Sequence, residues 1–308
     1  MGALSKLRQL KAVSTDLRWW PFYLQRRFMS PAGRRRATTV ATWLRPGIAS
    51  HEVPPEALGT RLEQLRDAGI SHYGQLLSAQ QAAELRDYFS AQLVQDTYRP
   101  EQGRFLPGSD ARHPESHIAH HDAADVIRAP YLFALANDPR ILAVVSRYLG
   151  CRPTLGYLAV WWSYHTGVGA QHAENFHRDV DDWRFVKLFV YLSDVAADNG
   201  PHVYVSHSAA SSKLRQVRRL SDAEVTAAFG SEKVLTMTGR AGEGFLEDTF
   251  GIHKGQPVGV GRRLMFQAVY SMFALPYGPK EPVARLTEVS RMHGVEVDPW
   301  VNRLYVRT

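Results

Sequence analysis

Near residue 153 the hydrophobic period of the chain changes, and this limits the folds open to it. Before that point Leu58, Leu62, Leu65 and Ala68 recur at helical spacing until Gly69, the pattern of one apolar stripe on an amphipathic helix. Ser78-Ala79-Gln80-Gln81 has the form of a capping box and opens a second helix through Leu85, Tyr88 and Phe89. A loop rich in Gly, Pro and His fills 101–121, and an apolar helical stretch over 125–149 is interrupted at Asn137-Asp138-Pro139. After Pro153, short apolar segments at 155–164, 185–192, 203–205, 234–238, 244–248 and 263–270 are separated by Gly, Asn and Pro turns. A polar helical insert begins at Ser221-Asp222-Ala223-Glu224. Helices followed by many short strands predict an α+β fold, a jelly roll or barrel with supporting N-terminal helices.

A chain of 308 residues suits one large domain of this kind. No apolar run reaches the eighteen or so residues that a spanning helix needs, so no membrane span is expected. The start lacks a signal-peptide core, and Lys6 stands where a myristoylation motif needs Ser or Thr. The single cysteine, Cys151, cannot form an internal disulfide. A cytoplasmic location is the resulting expectation.

Net charge is +7, and its source is local. Residues 1–45 hold Lys6, Arg8, Lys11, Arg18, Arg26, Arg27, Arg34, Arg35, Arg36 and Arg45 against one acid, Asp16, while the remainder is slightly acidic. The expected organisation is therefore a basic arm over 1–45 and one domain over 46–308, with a helical lead-in at 56–150 and a β core at 153–275. The arm also carries Trp19, Trp20, Phe22, Tyr23, Leu24 and Phe28. Two readings fit it: the aromatic cluster packs on the domain, or the arm lies on an anionic membrane or acidic partner. Nucleic acid is not an expected partner.

The residues that carry chemistry lie in the strand half. Phe176-His177-Arg178-Asp179 precedes the apolar segment at 185–192. Extended backbone sends residues i and i+2 to the same face, so His177 and Asp179 can share a metal while Arg178 points away or lines the rim. His253, in a Gly-framed segment, completes a 2-His-1-carboxylate set, the ligand type of oxygen-activating ferrous centres. His120-His121-Asp122 offers a second His-x-Asp, but it reads as a polar loop with no strand pattern to fix that geometry. His165, His172, His202 and His207 read as pocket or supporting residues rather than ligands. Trp161, Trp162, Tyr164, Trp183 and Lys187 are candidates for pocket lining or barrel core. Arg262 and Arg263 open the last strand, and alternation lets only one face inward, where a guanidinium requires an anion such as a cosubstrate carboxylate.

Taken together, residues 60–275 resemble the phytanoyl-CoA dioxygenase family of iron(II)/2-oxoglutarate-dependent oxygenases. The likeness rests on His177-x-Asp179, Tyr191-Leu192-Ser193-Asp194 followed by Asn199-Gly200, the Gly-framed His253, an arginine about ten residues beyond it, and the lead-in segments Ala129-Pro130-Tyr131-Leu132 and Asp138-Pro139-Arg140-Ile141-Leu142. It implies a double-stranded β-helix, with His177, Asp179 and His253 on Fe(II). It also implies 2-oxoglutarate and O2 as cosubstrates, with Arg263 favoured over Arg262 for the far carboxylate. The implied reaction is hydroxylation of a small or lipid-like metabolite with release of succinate and CO2. Asp179 argues against the halogenases, which lack that carboxylate. In two places the chain departs from the family: Pro201-His-Val-Tyr-Val-Ser-His-Ser replaces the usual Pro-Gly-Ser-His, and the basic arm has no counterpart. The alternatives are a cupin-like metal enzyme that does not use 2-oxoglutarate, and a non-catalytic jelly-roll binding protein with a membrane-associating arm.

Overall fold

The computed structural model describes residues 13–48 and 55–308; Lys6, Arg8 and Lys11 of the basic arm lie outside them. Strands follow in the order β1 (Ile70–Gln75), β2 (Val94–Gln95), β3 (Arg104–Phe105), β4 (Ile118–His121), β5 (Thr154–Tyr164), β6 (Phe185–Tyr191), β7 (His202–Val205), β8 (Val234–Met237), β9 (Glu243–Glu247), β10 (His253–Gly255) and β11 (Arg262–Ser271). The larger sheet runs β1-β9-β6-β11-β5-β4-β2-β3 and the smaller one β10-β7-β8. Every pairing within them is antiparallel.

Alternation along the central strands sorts their side chains into two cores. Leu158, Val160 and Trp162 of β5, Val186, Leu188 and Val190 of β6, and Leu264, Phe266 and Ala268 of β11 pack with the lead-in helices. Their neighbours Ala159 and Trp161, Phe189 and Tyr191, and Met265 face the smaller sheet, where they meet Tyr204 and Met237. A sheet covered on both faces favours apolar residues at nearly every position, which explains why β5 and β6 read as near-continuous apolar runs, broken in β6 by Lys187. The sheets close around a polar interior end, and the candidate ligands sit there.

The helical expectations hold with local differences. The helix Pro55–Asp67 ends before Gly69, whose φ of 84° suits a residue without Cβ. The Ser78–Gln81 capping box is present on Ala79–Ser90, and a second one, Ser221–Glu224, opens Asp222–Phe229. The stretch expected at 125–149 is three helices, Ala123–Arg128, Leu132–Ala136 and Pro139–Leu149. The extra break falls at Ala129-Pro130-Tyr131, where proline removes a backbone donor and Tyr131 takes a φ of 64°.

The first half also supplies strands that periodicity did not reveal, β1 to β4. Residues 118–121 are not a loop: β4 pairs with β5 through Ile118↔Ser163, Ala119↔Trp162 and His120↔Trp161. Histidines hide this strand because they count as polar, yet His121 is buried against Phe89, with ring centroids 4.6 Å apart.

The basic arm packs on the body. Helices Trp19–Gln25 and Pro31–Trp43 bury Phe22, Gln25, Arg34, Thr38 and Ala41, and the Phe28 ring lies 5.2 Å from that of Trp183. The first reading of the aromatic cluster therefore describes its inner face. Its outer face exposes Leu17, Trp20 and Leu24, and beyond them Val40, Trp43 and Leu44.

Candidate metal centre

His177 and His253 are cross-strand neighbours. Their backbones exchange both hydrogen bonds, His177 N to His253 O at 2.9 Å and His253 N to His177 O at 3.0 Å. Such a pair sends both side chains to one face, and the imidazole centroids lie 4.3 Å apart. Asp179 is held two residues on by a bond from its N to Thr249 O at 2.9 Å. The Gly-framed segment that carries His253 is the separate short strand β10, which the histidine opens after the turn that follows β9. One potential ligand atom from each of His177, Asp179 and His253 falls within 4.8 Å of the others, and no other such group occurs among the described residues. His120-His121-Asp122 forms none.

The donor set fits a divalent metal. His177 Nδ1 lies 2.9 Å from Asn175 O and His253 Nδ1 lies 3.0 Å from Gly251 O. A carbonyl only accepts, so each Nδ1 carries a proton and, in the neutral imidazole that binds a metal, each Nε2 presents a lone pair. Those lone pairs face the Asp179 carboxylate, at 3.5 Å from His177 and 3.3 Å from His253. Two lone pairs and an anion around one point call for a cation.

Charge around the centre is strongly organised. Burial works against ionised Asp179, but the Lys187 ammonium and His253 outweigh it and hold the carboxyl well below its usual range. Lys187 Nζ reaches Asp179 Oδ2 at 2.7 Å and Asp181 Oδ2 at 3.1 Å. Burial lowers His177; His253 is raised, because Asp179 overcomes the burial penalty.

Of the two arginines, β11 turns Arg263 inward and Arg262 outward. Arg262 is exposed and lies over the Trp162 ring, 4.4 Å from its centroid. Arg263 is 4% exposed, donates from Nη2 to Ser163 Oγ at 3.0 Å, and leaves Nε and Nη1 without a partner among the described residues. A buried guanidinium with unpaired donors is costly unless an anion completes it. Arg263 shares a cavity of about 230 Å³ with His177, Asp179, His253, Lys187 and Trp161.

The other candidate residues take different places. His172 stacks on Tyr98 at 3.8 Å at the cavity wall, and His202 lies beneath His253, with ring centroids 5.6 Å apart. His165 bonds Val258 O, and His207 lies at the surface against Asp67 O. Trp162 and Tyr164 belong to the helix-side core. Trp183 meets the arm, and Arg178 turns away to the carbonyls of Phe250, Lys213 and Leu214.

Sequence reasoning missed Glu247. It is fully buried on β9, in register with Lys187 and 2.7 Å from His202 Nε2. Its signal was an acid two residues after Phe245 in an apolar strand, hence on the inner face. Burial raises its carboxyl to about 8. The folded state therefore holds this proton more tightly than the unfolded chain, so the stabilisation is complete below the unfolded pKa and is lost as pH rises from about 4.5 through 8. Glu247→Gln should flatten the decline of melting temperature with pH over that window; an unchanged slope would assign the decline to other groups.

No family model matches the chain, and no curated protein matches it in sequence. Solved structures do. The non-haem alpha-ketoglutarate-dependent epimerase SnoN from nogalamycin biosynthesis superposes with a TM-score of 0.51 at 18% identity, covering 83% of this chain and 97% of SnoN. The fold is shared. HygX from Streptomyces hygroscopicus, solved with nickel and 2-oxoglutarate bound, gives a TM-score of 0.49 at 17% identity over 80% of this chain and 97% of its own. The carbocyclase SnoK, also from nogalamycin biosynthesis, gives 0.47 at 15% identity over 71% of this chain and 84% of its own. The α+β architecture with a jelly-roll barrel is thus that of SnoN as well.

Proposed function

We propose that this chain is an iron(II)- and 2-oxoglutarate-dependent dioxygenase that hydroxylates a small or lipid-like metabolite and releases succinate and CO2. The observation that carries the reading is the joint placement, in one cavity, of three convergent ligand atoms and a buried arginine with free donors. His177, Asp179 and His253 would hold the iron, and Arg263 with Ser163 would receive the far carboxylate of 2-oxoglutarate. Bound iron would supply O2 activation coupled to oxidative decarboxylation of the cosubstrate. The chain's own part is to fix both imidazole tautomers, anchor Asp179 through Lys187, neutralise the cosubstrate and exclude water behind the Trp161 and Phe189 wall. SnoN and HygX have been solved with 2-oxoglutarate and, respectively, Fe3+ or nickel bound, which supports the same pairing here.

A cupin-like enzyme without 2-oxoglutarate would give Arg263 no anion, and a non-catalytic binding protein would give the paired Nε2 atoms no cation. The test is succinate release from 2-oxoglutarate by anaerobically reconstituted protein, screened across candidate metabolites after admission of O2. Substrate-stimulated succinate is expected. Product formation without 2-oxoglutarate would favour the cupin-like enzyme.

The outer face of the arm supports a second assignment, peripheral docking on an anionic membrane. Trp20 and Leu24 are exposed one turn apart on the helix Trp19–Gln25, flanked by exposed Leu17 and Arg27, a mixture of apolar anchors and cation that suits an interfacial segment. No helix among the described residues is long and apolar enough to cross a membrane. In flotation, the full chain should rise with phosphatidylglycerol vesicles and stay down with phosphatidylcholine. A Trp20→Ser/Trp43→Ser variant should lose most of that flotation; flotation equal to the parent's would remove the arm as the anchor.

A further inference from the structure

The inner face of the arm reaches the segment that carries the iron ligand. Between Asp179 and β6 the chain runs through 180–184 without a strand partner, so its carbonyls need hydrogen-bond donors from elsewhere. The arm supplies them. Gln25 Nε2 donates to Val180 O at 2.7 Å and Arg26 Nε donates to the same oxygen at 3.2 Å. Arg34 Nη2 donates to Asp182 O and, at 3.0 Å, to Trp183 O, with Thr38 Oγ1 at 3.4 Å from the latter. Arg34 Nη1 also donates to Gln25 Oε1 at 2.8 Å, so the two side chains act as one unit. Gln25 is 0% and Arg34 5% exposed, although both belong to the most basic stretch of the chain. From the other side, the Asp182 carboxylate accepts from Trp183 N and Phe273 N, each at 2.8 Å.

We propose that Gln25 and Arg34 are positioning residues for the metal centre: the arm clamps the 180–183 backbone and thereby sets the span between Asp179 and its partner Lys187. The inference rests on the reading of Asp179 as a metal ligand. Val180 is the next residue after Asp179, so a shift of its carbonyl is passed through Val180 Cα to the peptide that joins it to Asp179. Lys187 follows where the same segment enters β6, and its 2.7 Å contact with Asp179 Oδ2 keeps one carboxylate oxygen engaged. Loss of the clamp frees the Asp179 side of this contact, while Lys187 stays fixed in β6 between β9 and β11.

The experiment is an anaerobic Co(II) titration of the full chain, followed by the visible ligand-field absorption, with melting temperature measured on the same samples. The variants are Gln25→Met, Arg34→Met, Arg34→Lys and, as an exposed control, Arg36→Met. Outer partners of metal ligands typically contribute about 10- to 100-fold in metal affinity. Gln25→Met and Arg34→Met should therefore weaken Co(II) binding by about tenfold or more and alter the ligand-field band, Arg34→Lys should recover part of the loss, and Arg36→Met should match the parent. Gln25→Met removes only one side chain's bonds and keeps the test open if Arg34→Met does not fold. Parental Co(II) affinity and band shape in folded Gln25→Met, with only the melting temperature lowered, would overturn the proposal. Failure of the parent itself to bind Co(II) would instead overturn the ligand assignment on which it rests.

Discussion

Asp179→Ala should abolish substrate-dependent succinate formation and iron retention while the fold persists. Removing the carboxylate leaves two neutral imidazoles, and it leaves the buried Lys187 with Asp181 alone. A metal centre contributes several kcal/mol of charge stabilisation, so a loss of at least about 10³-fold in rate is expected. His177→Ala should behave alike, because His177 supplies an Nε2 lone pair held in place by Asn175 O. The check is succinate yield together with iron per chain after desalting. Full activity in either variant would sink the ligand assignment.

The second large effect separates the two arginines. Arg263→Ala removes the buried guanidinium whose Nε and Nη1 await an anion. Truncating one partner of a buried charge pair costs about 2–4 kcal/mol, or about 30- to 10³-fold in the 2-oxoglutarate concentration needed for half-maximal turnover. Arg262→Ala removes an exposed cation over Trp162, worth about 0.5–1 kcal/mol at such a site, so its effect should stay within about fivefold. Saturation curves in 2-oxoglutarate measure both. The reverse order would transfer the role to Arg262.

Much of this centre is legible in the sequence because its geometry follows from short-range rules. Spacing i, i+2 on extended backbone aims His177 and Asp179 together, and alternation on β11 makes Arg262 and Arg263 exclusive choices. The pairing of His177 with His253 is a long-range contact: the sequence offers His253 as the histidine of a Gly-framed segment, and no local pattern shows the backbone pairing that brings it to His177. What escaped reading depends on tertiary partners. β1 and β4 contain Ser, His, Gly and Gln, so their strand character comes from pairing with β9 and β5 rather than from apolar alternation. Glu247 looks like one more charge until its burial beside His202 is known. Packing of the arm's aromatic cluster on the domain is one of the two readings open from sequence, but nothing local singles out Gln25 and Arg34, which are buried because carbonyls at 180–183 attract their donors. Charge density reports on surfaces; it does not reveal which cations the fold turns inward.

The central claim is that one cavity binds iron and 2-oxoglutarate together. The most direct measurement is an anaerobic titration of Fe(II) followed by 2-oxoglutarate, recorded as visible absorption. Stoichiometric iron binding, then a metal-to-ligand charge-transfer band that appears with 2-oxoglutarate and is absent in Asp179→Ala, is the expected result. Tight iron binding with no band at saturating 2-oxoglutarate, or the same band in Asp179→Ala, would contradict it.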